Sequence, residues 1–97
     1  MNKLFFTVAA TAALFAGAAS AQFVEHDAVR CEPVAKEEMR PQMDLQRKLT
    51  GEGWKVRQVK NFKGCYEVYG FDEKGRRVEA FFHPKTFERV GEIKQPS

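Results

Sequence analysis

The stretch Gly64-Cys65-Tyr66-Glu67-Val68-Tyr69-Gly70-Phe71-Asp72-Glu73-Lys74-Gly75-Arg76-Arg77-Val78-Glu79-Ala80-Phe81-Phe82 decides the fold. Two runs rich in β-branched and aromatic residues flank a cluster of turn formers, the pattern of a β-hairpin. Parity sets its register. Tyr66, Val68 and Gly70 share one face, as do Val78, Ala80 and Phe82, so facing residue numbers must sum to an even value. A sum of 148 pairs Asp72 with Arg76 and leaves the loop Glu73-Lys74-Gly75, with glycine in the left-handed position such loops need. Val68 then faces Ala80 and Tyr66 faces Phe82, and this side is expected to meet a helix.

The other side holds Cys65, Glu67, Tyr69, Phe71, Arg77, Glu79 and Phe81. Three aromatics on one face should not be left bare. Two readings stay open. The segment before residue 39 covers the face through Phe23, Val24 or Val29, or Glu67, Tyr69, Phe71, Glu79 and Phe81 form a partner-binding patch.

Upstream of the hairpin the period changes. From Met39, the spacing predicts a helix carrying Met39, Met43, Leu45 and Leu49 on its buried stripe. Pro41 suits its first turn and Gly51 its stop, with Arg47 and Lys48 near the negative end of the helix dipole. Trp54–Lys60 reads as a first strand. Trp54 and Val56 mark one face and Val59 breaks the alternation, so a bulge is expected near Gln58. Asn61-Phe62-Lys63-Gly64 reads as the intervening turn. Downstream, Pro84 ends the third strand (Arg77–Phe82), Thr86 closes a turn with its hydroxyl, and a short fourth strand is expected from Glu88 to Ile93.

The fold class expected is therefore α+β: one main helix packed on a three- to four-stranded antiparallel meander, preceded by an N-terminal arm. The chain divides into residues 1–21, an arm over 22–38, a domain over 39–94 and a frayed tail over 95–97. Residues 1–21 read as a cleaved signal peptide. Lys3 gives the positive n-region, residues 4–17 form a short apolar run, and Ala19-Ser20-Ala21 supplies the small residues of a cleavage site. The run is shorter than the ~20 residues of a membrane span. Its alanine-rich character points to a bacterial, periplasmic or secreted protein, with no membrane span after cleavage.

In such a compartment an even cysteine count is expected to pair, so Cys31 and Cys65 should form a disulfide. His26, Asp27 and His83 do not combine with the cysteines in any metal-ligand spacing, and no metal or cofactor is expected.

With 97 residues, 43% hydrophobic and 30% charged, the chain suits one globular domain. Sixteen Lys and Arg against 13 Asp and Glu is too even for a nucleic-acid binder that works by neutralising phosphates. Residues 45–63 nevertheless carry Arg47, Lys48, Lys55, Arg57, Lys60 and Lys63 against the single acid Glu52. They form either a solvated face or a docking surface for an acidic partner. There is no phosphate loop, metal-binding His pair or nucleophile elbow, so no enzyme and no catalytic residue is expected.

The helix is followed by Gly53-Trp54-Lys55-Val56, Gly64-Cys65-Tyr66-Glu67-Val68-Tyr69, Asp72-x-x-Gly75 and Val78-Glu79-Ala80-Phe81-Phe82-x-Pro84-x-Thr86. In that order, from about Met39 to Ile93, the chain resembles the PepSY domain family, particularly its small exported single-domain members. His83 and Phe87 depart from the pattern, standing where aspartate and glycine are common. The resemblance implies an antiparallel sheet covered by helix. It also implies a non-catalytic role in binding and restraining a periplasmic or secreted peptidase, or another envelope protein. A signalling or small-ligand-sensing accessory is the alternative.

Overall fold

The computed structural model describes residues 22–96. The proposed signal segment, residues 1–21, lies outside the described residues, as does Ser97. The elements are a helix α1 (Gln42–Gly51) and strands β1 (Lys55–Phe62), β2 (Cys65–Phe71), β3 (Arg77–Phe82) and β4 (Arg89–Glu92). The strands form one antiparallel sheet in the order β1-β2-β3-β4, the meander expected.

The β2–β3 hairpin takes the register set by parity: Tyr66 faces Phe82, Val68 faces Ala80 and Phe71 faces Arg77. Gly75 turns at φ 78. Asp72 clamps this loop. Its carboxylate accepts from the Lys74 and Arg76 amides at 2.9 and 3.0 Å and from Arg76 Nε at 3.1 Å. Burial alone would raise the Asp72 pKa, but these donors and the Arg76 charge outweigh it and hold the carboxyl below its ordinary value. A depressed folded-state pKa contributes stability above the unfolded-state value, and that contribution is lost as pH falls through the folded one. Asp72→Asn is therefore expected to cost about 1 kcal/mol at neutral pH. In denaturant titrations its deficit against the parent should shrink from about pH 4 downward. A deficit that does not change with pH would show that the charge is not what holds the loop.

The first hairpin is tighter than its four-residue turn cluster suggested. β1 runs on through Asn61 and Phe62, and only Lys63 and Gly64 turn, at φ 48 and 86. Two successive left-handed residues make the two-residue turn whose twist suits a hairpin. Lysine is a poor marker for that conformation, which is why the strand end was hidden. The bulge falls at Arg57, between Val56 (opposite Gly70) and Gln58 (opposite Tyr69). The extra residue resets parity, so Val56 and Val59 both reach the helix side. At Gly70 a Cβ would meet the Lys55 carbonyl oxygen at 2.1 Å, so glycine permits the close approach of β1 there.

Leu45 and Leu49 of α1 are buried against Trp54, Tyr66, Val68, Val78, Ala80, Phe82 and Phe87, with Met39 at the margin. Met43 is 57% exposed and does not belong to the stripe. Residues two positions apart on a helix are separated by about 200°, so Met43 points away from the side Leu45 buries. Pro41 sits just before the helix, and its carbonyl accepts from the Asp44 amide at 3.0 Å. Gly51 is the last helical residue. The left-handed exit falls two residues later, at Gly53, φ 101.

The last turn ties the sheet to the start of the helix. The Arg40 amide donates to the Pro84 carbonyl at 2.9 Å, and the Tyr66 hydroxyl donates to the Arg40 carbonyl at 2.6 Å. Thr86 Oγ1 accepts from the Glu88 amide at 3.1 Å, as its place in the turn implied. Phe87 occupies the left-handed region at φ 66, which accounts for glycine being common at this position of the pattern. Its ring is buried beneath the Arg40 guanidinium, 3.9 Å from the centroid. His83 does the work expected of an aspartate, its Nδ1 accepting from the Lys85 and Thr86 amides at 3.1 and 3.4 Å.

Candidate functional site

The arm crosses the sheet face opposite α1. Cys31 bonds Cys65, and the Cys31 amide donates to the Lys63 carbonyl at 3.0 Å, so the arm is fixed at the β1–β2 turn. A Cβ at Gly64 would meet the Cys31 carbonyl oxygen at 2.5 Å, so this junction also requires glycine. At its other end the arm reaches β4. Phe23 forms a parallel bridge with Glu92, Val24 N–H donates to the Glu92 carbonyl and Glu92 N–H donates to the Gln22 carbonyl, both at 2.9 Å. Between these ties, Val29 and Val24 pack with Cys65, Phe81, Phe62, Val90 and Ile93. Phe23 itself is 55% exposed.

The residues named for a partner patch thus separate. Phe81 and Glu67 are fully buried, while Tyr69, Phe71 and Glu79 keep partial exposure. Arm cover and accessible patch coexist on one face.

Glu67 is an unusual occupant of that core. It faces Phe81 across the ladder, one step from the Tyr69–Glu79 pair. Tyr69 hydroxyl donates to Glu67 Oε2 at 2.8 Å. His26, on a short 3-10 turn of the arm (His26–Ala28), brings Nε2 to 3.3 Å from Glu67 Oε2 and 3.8 Å from Glu79 Oε2. The His26 ring lies tilted against Phe62, centroids 4.4 Å apart, and meets Phe81 edge-on at 5.8 Å. Glu67 Oε1 is buried without a hydrogen-bond partner.

The carboxyls differ in environment. Burial raises both. At Glu67 it is outweighed by the adjoining Glu79 carboxyl, the Tyr69 hydroxyl and the charges of His26 and Lys60, so its pKa falls below the ordinary value. At Glu79 the adjoining Glu67 adds to burial and the pKa rises. Burial and the Glu67 hydrogen bond and charge also push the Tyr69 phenol well up. The two neighbouring carboxyls therefore shift in opposite directions, Glu67 down and Glu79 up.

Alternation alone puts Glu67 and Glu79 on one face, but no sequence spacing links them to His26. A usable signal was present. Glu67 and Glu79 lie on the same face in the parity register, and the Cys31–Cys65 pairing delivers the segment just before Cys31 to that face.

The second surface is the open edge, β1. Lys55, Arg57 and Lys60 are exposed and form no ion pair among the described residues. The other cations of the basic stretch are engaged: Arg47 with Asp44 at 3.1 Å, Lys48 with Glu52 at 2.7 Å, and Lys63 with the Asp27 carbonyl at 3.2 Å.

A four-stranded meander with one helix on one face and a disulfide-tied arm on the other defines a small α+β domain. Residues 5–93 match the model of the peptidase propeptide and YPEB domain family, and the chain belongs to this PepSY family. No curated protein and no solved structure matches it. Among the described residues no helix is long and apolar enough to cross a membrane.

Proposed function

We propose that the chain is a non-catalytic, exported domain of the bacterial envelope that binds a peptidase and restrains it sterically, by lending its open sheet edge to the enzyme's substrate cleft. The observation that carries this reading is β1. It is eight residues long, pairs on one side only with β2, and exposes Lys55, Arg57 and Lys60, none of them in an ion pair among the described residues. An extended segment of the enzyme can add to such an edge through main-chain hydrogen bonds, with an acidic rim meeting Lys55, Arg57 and Lys60. Membership of a family described by peptidase propeptides supports the class of partner. The face bearing Glu67, Tyr69, Phe71, Glu79 and Phe81 is the second surface, and Phe81 could join a contact there only after the arm had lifted.

The test is inhibition. The purified protein is expected to slow peptide cleavage by a peptidase that co-purifies with it from periplasmic extract. The triple variant Lys55→Glu/Arg57→Glu/Lys60→Glu should lose at least tenfold in inhibitory affinity, with its melting temperature within a few degrees of the parent's. Equal inhibition by the variant would exclude the edge. Undiminished activity of every co-purifying peptidase would sink the reading.

A further inference from the structure

We infer that His26, Glu67 and Glu79 form a site for a divalent cation of the zinc class, one that pins the arm to the sheet. The inference stands apart from the proposed peptidase binding. One imidazole nitrogen and two carboxylate oxygens converge, with the three donor atoms within 4.8 Å of one another. Donors at ~2.0–2.2 Å from a tetrahedral zinc lie roughly 3.3–3.6 Å apart. The His26 distances of 3.3 and 3.8 Å to the two carboxylates are already close to this.

The second observation is Glu67 itself. Its Oε2 faces His26 while Oε1 of the same buried carboxylate has no hydrogen-bond partner, and a cation bound to this carboxylate would offset the cost of burying its charge. Tyr69 orients Glu67 by donating to Oε2, the oxygen that also faces His26. His26 turns Nε2 inward, while Nδ1 lies 3.6 Å from Asp27 Oδ1 at the surface. With the His26 side chain 41% exposed, one side of the site is open to water or to an exchanging ligand. Lys60 is the one cation acting on Glu67 from the sheet, and its ammonium is drawn over the Tyr69 ring, 5.2 Å from the centroid. A donor set of one imidazole and two carboxylates suits a borderline transition cation. Calcium, which needs six to eight oxygens, is poorly served.

The experiment is titration of the purified protein with Zn2+, by calorimetry and melting. One equivalent is expected to bind, and at about 100 times the dissociation constant the melting temperature should rise by about 10 °C or more. His26→Gln and Glu79→Gln should each weaken binding at least tenfold. Ca2+ and Mg2+ should bind at least tenfold more weakly than Zn2+. Because Glu79→Gln also alters the charge beside Glu67, imidazole 15N spectra of the unaltered protein give an independent reading. The chain has two histidines, and Zn2+ should shift Nε2 of His26 while leaving His83 unchanged. No one-to-one binding below 100 μM, equal affinity in both variants, a stronger response to Ca2+, or a shift at His83 in place of His26 would each overturn the site.

Discussion

Reducing the Cys31–Cys65 bond is expected to lower the melting temperature by about 15 °C or more. The bonded residues are 34 apart in sequence. Opening a loop of that length returns roughly 3.8 kcal/mol of chain entropy to the unfolded state. A core of this size supplies only ~3–5 kcal/mol in all, so the reduced chain should sit near its midpoint of unfolding at physiological temperature. Cys31→Ser/Cys65→Ser should behave as the reduced parent does. Differential scanning with and without reductant measures the effect, and an unchanged melting temperature would mean that the arm's other ties hold it without the covalent link.

Phe81→Ala is expected to cost about 3–5 kcal/mol, comparable to losing the disulfide. Phe81 is fully buried between the sheet and the arm, with Val29 and Cys65 as buried neighbours, and removing its ring leaves a void neither layer can close cheaply. The contrast is Met43→Ala, at a side chain already 57% exposed, which should stay within ~0.5 kcal/mol of the parent. Chemical denaturation of the two variants measures the difference. A mild effect at Phe81 would show that the arm is loosely laid and that the aromatic face is available to a partner after all.

The hairpin that fixes the fold was legible because two local rules agreed on it. Alternation gave the faces and Gly75 gave the loop, and no tertiary contact was needed to choose between registers. The bulge was only half legible: Val59 broke the alternation, but the pattern assigned neither the faces of β1 nor the extra residue, which is Arg57. Met43 was misread because the stripe was drawn too wide: it lies near Met39 but about 160° round the helix from Leu45. The first turn was misplaced because Lys63 adopts a left-handed conformation that its residue type does not advertise. The carboxylate–imidazole cluster depended on the path of the arm, and that path is set by one disulfide and by the Phe23–Glu92 bridge, a contact between residues at opposite ends of the described chain. Periodicity carries no information about such a contact.

The parallel bridge at Glu92 has a consequence for self-association. A sheet with two exposed rims can stack copies end to end without limit, because each added unit offers a fresh rim to the next. Here the arm blunts the β4 rim, so two copies meeting through β1 would use up both free rims and growth would stop at a pair. Trimming the chain back past Val24 would restore the second rim and turn a self-limiting unit into one able to polymerise into fibres.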